Sequence, residues 1–125
     1  MLFDTDVLIW AQRKNGDAME LIGDAEERYI SALSLMELLQ GARDQADMRL
    51  IKGFLSDADF QTLPLTEPIG HRALIYIEEY ARACGLRCAD AIIAATAVEH
   101  NLAMVTGNKK HFKPIRDLKL RVFTS

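Results

Sequence analysis

The sequence has 125 residues, of which 50% are hydrophobic, and its formal net charge is −3 at neutral pH. This length allows one domain with its own core, over residues 1–125, and the net charge argues against binding nucleic acid through bulk positive charge. No apolar stretch reaches the about 18 residues that span a bilayer, and the N-terminus lacks a signal-like segment, so we expect a cytoplasmic protein with no membrane contact.

Short apolar runs alternate along the chain with segments of helical periodicity. This pattern is typical of an α/β domain with a central, mostly parallel sheet flanked by helices. The apolar runs predict about five strands, near Leu2–Asp4, Arg28–Ser31, Gln61–Leu65, Ala103–Thr106 and Arg121–Thr124.

Helices are predicted between these strands. Apolar residues spaced at i, i+3, i+4 and i+7 predict amphipathic helices around residues 18–25 and 35–42. A longer helix is predicted to begin after Thr66, which can cap it, and to end at Gly85. Residues 89–101 are apolar nearly all round and rich in alanine, which indicates a buried, tightly packed helix.

The cysteines and histidines show no clear metal or redox centre. Cys84 and Cys88 lack the second pair of Cys or His residues that a zinc site requires, so we expect reduced cysteines that serve in packing. His71, His100 and His111 are scattered along the chain. None of them has a nearby partner that suggests a catalytic triad.

Positive charge is concentrated near the C-terminus. Between Lys109 and Arg121 there are six basic side chains and one acidic side chain, a net charge of +5, which leaves −8 for the residues before Lys109. Such a run is either a solvated surface or a contact surface for a polyanion, and the sequence alone supports the two interpretations equally.

Polar residues collect after the predicted strands, at the edge where ligands bind in open parallel sheets. Crowded carboxylates raise one another's pKa unless a cation compensates them, and Mg²⁺ and Mn²⁺ prefer oxygen ligands. We therefore expect a divalent cation at this edge. The residues concerned are Asp4, Asp6, Glu37, Asp90, Thr106 and Asn108.

Each acid also has an ordinary structural explanation. Asp4 or Asp6 could cap a following helix, and Ser34 and Glu37 match a capping box. Asp90 could be a first-turn acid that the helix dipole favours. These explanations do not account for all the acids lying at one edge of the sheet, so the metal site is the favoured interpretation.

Four segments resemble, in order, the motifs of PIN-domain ribonucleases, specifically the VapC toxins of type II toxin–antitoxin pairs. They are LFDTDVLIW, ISALSLMELLQGA, CADAIIAATA and MVTGNKKHF. The resemblance spans the whole chain and implies a single PIN domain that acts as an endoribonuclease dependent on Mg²⁺ or Mn²⁺. It also implies an RNA substrate, a homodimer, and a partner antitoxin that covers the cleft.

The resemblance also implies roles for individual residues. It places the acidic, metal-binding site at Asp4, Glu37 and Asp90, with Asn108 at the fourth catalytic position. Many relatives carry Asp at the position of Asn108 and Asn at the position of Asp6. The residues that would support the site through hydrogen bonds are Asp6 and Thr106.

If the substrate is RNA, the basic run near the C-terminus has an expected role in binding it. Lys109, Lys110 and Lys113 lie just beyond the acidic site in the sequence and could guide the RNA backbone. An acidic protein could in this way bind an anionic substrate.

Two other functions stay open at this point. A strand followed by Asp4-Thr5-Asp6 also resembles the first motif of haloacid-dehalogenase-type phosphatases, in which Asp4 would be the nucleophile, although the later paired acids of that family are hard to find here. The other alternative is a non-catalytic PIN-fold module that binds RNA or protein, since Asn108 is neutral.

Overall fold

The computed structural model describes residues 1–124 of the chain. The strands are β1 (Leu2–Phe3), β2 (Arg28–Ser31), β3 (Phe60–Leu63), β4 (Met104–Thr106) and β5 (Leu120–Val122). The helices are α1 (Thr5–Gln12), α2 (Gly16–Asp24), α3 (Ala32–Gln40), α4 (Gln45–Asp57), α5 (Glu67–Cys84), α6 (Cys88–Glu99) and α7 (Lys109–Phe112). None of these helices is both long enough and apolar enough to cross a bilayer.

The five strands form one sheet in the order β3-β2-β1-β4-β5, and every neighbouring pair is parallel. The predicted α/β fold with a parallel sheet of five strands is confirmed. The chain first builds the sheet outward from β1 through β2 to β3, and then crosses to the other side of β1 to add β4 and β5. The strand order therefore reverses between β1 and β4, and crevices at such switch points are where open α/β sheets bind ligands.

Helices cover both faces of the sheet, and side chains alternate between the faces along each strand. Leu2 and Met104 pack on the face that α5 and α6 cover, whereas Phe3 and Val105 pack on the face that α1, α2, α3 and α4 cover. All four side chains are buried. The two-residue strand β1 is thus held by burial on both faces as well as by its hydrogen bonds.

The long helix α5 follows the prediction closely. The side chain of Thr66 accepts a hydrogen bond from the Ile69 N–H, and Gly85 ends the helix in the left-handed conformation with φ of 76°. Helix α6 is buried as predicted, and its alanines are what allow α5 and the sheet to approach it closely. These are Ala91, Ala94, Ala95 and Ala97.

Three features differ from the sequence analysis. No helix was predicted over α4, whose Ile51 and Leu55 are buried in the core on the face of the sheet that α1 to α4 cover. The short helix α7 was not predicted either. The capping box at Ser34 and Glu37 was wrong. Helix α3 begins three residues earlier, because Ser31 at the end of β2 accepts the hydrogen bond from the Leu33 N–H and caps it.

The left-handed conformation at Gly85 predicts that Gly85→Ala lowers the free energy of unfolding by about 1 kcal/mol, since a Cβ atom is strained at this φ. Gly70 is the matched control. It lies inside α5 with open space around it, so Gly70→Ala should raise stability by up to about 1 kcal/mol. Denaturant unfolding of both variants measures the two signs, and a stabilising Gly85→Ala would contradict the assigned cap.

Candidate active site

Asp4 lies at the carboxyl end of β1, where the chain turns into α1. Its Oδ1 atom accepts a hydrogen bond from the Thr5 N–H at 2.8 Å, so Asp4 does cap α1, as the structural explanation expected. Its Oδ2 atom accepts a hydrogen bond from the Thr106 hydroxyl at 2.7 Å. Asp4 therefore joins the ends of β1 and β4 across the switch point.

Thr5 brings Glu37 to the same edge of the sheet. The Thr5 hydroxyl donates to Glu37 Oε1 at 2.7 Å. Because a hydroxyl has one proton, the 3.0 Å contact between Thr5 and Ser34 requires the Ser34 hydroxyl to donate to Thr5. Ser34 and Glu37 are thus used to hold α3 against the first turn of α1, which is the physical reason that they do not form a capping box.

Asp6 contacts the loop that follows β4. Its Oδ2 atom accepts a hydrogen bond from the Gly107 N–H at 3.0 Å. The next N–H along this loop, that of Asn108, donates to the Thr106 hydroxyl oxygen at 3.0 Å. The loop is therefore fixed by two side chains, one from each of the two strand ends.

Asp90 lies in the first turn of α6, and its Oδ2 atom accepts a hydrogen bond from the Arg87 N–H at 3.2 Å. The same oxygen is 3.1 Å from His111 Nδ1, and that nitrogen is 2.9 Å from Asn108 Nδ2. No histidine was predicted to have a partner that suggests a catalytic triad, and the structure gives His111 two polar neighbours, Asp90 and Asn108. The spacing of three residues between Asn108 and His111, which brings the two side chains together at the start of α7, is the signal that could have found this contact.

Burial makes the acids of this site unusual. Asp4 is 7% exposed, and desolvation raises its pKa from 3.8 to about 7, with the negative charges of Asp6 and Asp90 adding to the rise. Desolvation also raises the pKa of Asp6, and the charge of Asp90 acts in the same direction. The three carboxylates therefore interact electrostatically and destabilise one another when all are ionised.

Three basic residues follow the site directly in the sequence. Lys109 and Lys110 begin α7 after Asn108, and Lys113 caps its C-terminal end. All three side chains are exposed, so they are available to a polyanion. They do not form ion pairs with the acids among the salt bridges of residues 1–124.

The residues fit a hydrated divalent cation. In the described part of the chain, no group of three or more His, Cys, Asp and Glu side chains is already arranged to hold a metal ion. Mg²⁺ is usually held by one or two carboxylates, with water and substrate oxygens completing its shell, so a fully formed protein cage is not needed. A site that takes up a cation is expected to have a buried carboxylate oxygen without a hydrogen-bond partner and a carboxyl group with a raised pKa. Asp6 shows the first feature and Asp4 shows the second.

Comparison with known families identifies the fold and the motifs. The PIN domain family matches residues 1–118, and this chain belongs to that family. Ribonuclease VapC10 of Mycobacterium tuberculosis is 34% identical over 123 residues, which cover 95% of this chain and 90% of that protein. The resemblance to VapC-type PIN domains that the four sequence motifs indicate is confirmed.

Solved structures give the same result. A toxin–antitoxin complex from Klebsiella pneumoniae contains a chain that is 30% identical, with a TM-score of 0.81, and the match covers 94% of this chain and 93% of that one. A chain of VapBC2 from Rickettsia felis, solved with a DNA fragment from its promoter, has a TM-score of 0.82 and covers 98% of each chain. It is 23% identical, so it supports the fold alone.

The raised pKa of Asp4 predicts that the metal-free protein loses stability as the pH rises. The carboxyl titrates near 3.8 in the unfolded chain but near 7 in the folded protein, so between these values the folded state binds more protons. The free energy of unfolding then falls as the pH increases, by on the order of 4 kcal/mol for this group.

Asp4→Asn should therefore flatten the pH dependence of stability between about pH 4 and pH 7 when a chelator is present. Denaturant unfolding across that range measures it. Asp57→Asn, at the exposed end of α4, is the control that should keep the wild-type slope. A wild-type slope in Asp4→Asn as well would show that Asp4 is not the titrating group.

Proposed function

We propose that this protein is an endoribonuclease that depends on Mg²⁺ or Mn²⁺ and serves as the toxin of a toxin–antitoxin pair. The observation that carries the proposal is the convergence of Asp4, Asp6, Asp90 and Asn108 at the switch point of a PIN domain. The identity to Ribonuclease VapC10 supports the ribonuclease activity, and the likeness to the Klebsiella toxin–antitoxin complex supports the toxin role.

In this proposal Asp4, Glu37 and Asp90 hold the cation, and Asn108 completes the catalytic set. When bound, the cation supplies Lewis-acid chemistry, which offsets charge on the phosphate and makes a water molecule a better nucleophile at neutral pH. Asn108 can orient a polar group through its amide but adds no charge. The protein itself therefore supplies no nucleophile, and its side chains act by binding and orienting.

The hydrogen bonds of the site support further proposed roles for neighbouring side chains. Thr106 fixes the Asp4 carboxylate, and Thr5 fixes the Glu37 carboxylate. His111 Nδ1 lies within hydrogen-bond distance of both Asp90 and Asn108. When this nitrogen carries a proton it donates to Asp90, and when it does not it accepts from the Asn108 amide, so its tautomer decides which of the two side chains it restrains. Without such restraints, flexible acids would spread apart under their mutual repulsion.

The partners follow from the same relatives. We propose RNA as the substrate, with Lys109, Lys110 and Lys113 contacting its phosphates, and a cognate antitoxin protein that covers the cleft. We also propose a homodimer as the working form and the cytoplasm as its location. The toxin–antitoxin complex from Klebsiella pneumoniae is the observation that supports a protein partner.

The two alternative functions make different predictions for one experiment. Purified protein is incubated with RNA in the presence of Mn²⁺, Mg²⁺ or a chelator. The proposed function requires cleavage that stops with the chelator, whereas a non-catalytic module binds RNA without cleaving it. The phosphatase function is not favoured by the family match over residues 1–118.

Asp90→Asn should reduce metal-dependent RNA cleavage by at least about 100-fold, because it removes a ligand charge. The amide keeps the volume of the side chain and an oxygen that can accept from the Arg87 N–H, so the free energy of unfolding should stay within about 1 kcal/mol of wild type. Asp57→Asn should leave cleavage unchanged. A folded Asp90→Asn protein with wild-type activity would rule out this site.

Replacing Lys109, Lys110 and Lys113 by Ala should weaken RNA binding and reduce the dependence of the logarithm of affinity on the logarithm of salt concentration. Each phosphate contact to a single strand contributes about 0.7 to this slope, so three contacts contribute about two units. Metal affinity should not change, because these side chains are exposed and make no ion pair with the acids among the salt bridges of residues 1–124.

A triple variant with equal loss of charge is the control for this experiment. Lys14, Arg49 and Lys52 are exposed side chains outside the site, and replacing them by Ala should leave the slope as in wild type. An equal reduction of the slope in both triple variants would show that only the overall charge matters.

A further inference from the structure

One oxygen of the Asp6 carboxylate has no partner. Oδ2 accepts from the Gly107 N–H, whereas Oδ1 is buried and, within residues 1–124, makes no hydrogen bond of normal geometry. The N–H groups of Asp6 and Val7, at the start of α1, favour the charged form of this carboxylate and so oppose the rise of its pKa. A buried unpaired carboxylate oxygen is destabilising, and almost all such groups in proteins are hydrogen-bonded or coordinate a cation. This oxygen is the one buried side-chain polar atom in the described residues that is left in this state.

Gly107 determines where the Asp6 carboxylate lies. A Cβ atom at position 107 would be 2.8 Å from Asp6 Oδ2, which is closer than unbonded atoms approach. Gly107 does not have a positive φ, so glycine is needed here for space and not for its backbone conformation. The same residue thus leaves room for the carboxylate and donates a hydrogen bond to one of its oxygens.

No side chain compensates the charge of Asp6. The ion pairs of residues 1–124 include none with Asp4 or Asp6. Of the acids Asp4, Asp6 and Asp90, only Asp90 is paired with His111. Asn108 is neutral. A divalent cation in this site would therefore find its compensating charge in the carboxylates, and Asp6 is a carboxylate with a free oxygen.

Solvent does not replace the missing partner, because Oδ1 is closed off from water. A cation differs from water in the distance at which it meets an oxygen. Mg²⁺ binds oxygen at about 2.0–2.1 Å, whereas a water oxygen needs about 2.7–2.8 Å for a hydrogen bond. A cation bound directly to Oδ1 therefore needs no bridging water at this oxygen, and water can fill its other coordination positions.

We propose that Asp6 is a metal ligand of this protein, with Oδ1 binding the divalent cation while Oδ2 remains hydrogen-bonded to the Gly107 N–H. This inference rests on the proposed metal-dependent function. It gives Asp6 a role beyond the supporting hydrogen bond that the sequence motifs implied. It also makes Gly107 a positioning residue, since any larger side chain displaces the ligand.

Binding of Mn²⁺ to the metal-free full chain tests the proposal without any activity assay. Asp6→Asn keeps an oxygen that can accept from the Gly107 N–H but removes the charge, so calorimetric titration should show an affinity at least about tenfold weaker than wild type. Its melting temperature with a chelator should rise, because one of three repelling acids is gone, and the gain on adding Mn²⁺ should shrink.

Two further variants complete the experiment. Gly107→Ala should weaken Mn²⁺ binding in the same direction as Asp6→Asn, because the Cβ atom pushes the carboxylate away. Asp57→Asn should bind Mn²⁺ as wild type does. If Asp6→Asn binds Mn²⁺ with wild-type affinity, Asp6 serves only to hold Gly107 and the proposal is wrong.

The wild-type titration separates this proposal from the proposed function. If the wild-type protein binds neither Mn²⁺ nor Mg²⁺, the metal-dependent function fails and the role of Asp6 fails with it. If wild type binds Mn²⁺ and Asp90→Asn does not, while Asp6→Asn binds as wild type, the proposed function stands and only the role of Asp6 is overturned.

Discussion

The turn from β1 into α1 is the constraint on which the rest of the site depends, because its three consecutive side chains bind two separate parts of the chain, α3 and the end of β4. Asp4 bonds to Thr106 at the end of β4, Thr5 bonds to Glu37 in α3, and Asp6 bonds to Gly107 in the loop after β4. The turn can do this because β1 lies at the centre of the sheet, beside β4, where the strand order reverses. The central position of a strand of two residues is therefore what brings distant acids together.

This arrangement places charge where burial makes charge unfavourable. Desolvation raises the pKa of Asp4 and of Asp6, and each of these carboxylates also experiences the charge of Asp90. Proteins usually avoid such clusters, and they tolerate them where the destabilisation serves a function. A cation would offset the repulsion, so the metal-free protein gives up stability that metal binding restores. The same reasoning explains why the exposed lysines lie beside the acids and not among them, since an internal ion pair would occupy the oxygens that a cation needs.

Features set by neighbouring residues could be predicted from the sequence, and features set by packing could not. Thr66 and Gly85 bound α5 through local capping, and both were predicted correctly. The start of α3 was misplaced because Ser31 and Ser34 can each cap a helix, and only the end of β2 decides between them. The contact of His111 with Asp90 joins residues 21 positions apart, so it depends on how α7 packs beside α6. Parallel strands could be expected from the alternation of elements, but their order depends on long crossovers that local patterns do not encode.

Anomalous diffraction from crystals grown with Mn²⁺ would test most directly whether this turn forms a metal site. We expect an anomalous peak at the carboxyl ends of β1 and β4, with carboxylate oxygens of Asp4 and Asp90 at the distances typical of a cation. A fully occupied Mn²⁺ ion elsewhere on the protein, with no peak beside Asp4, would contradict this expectation.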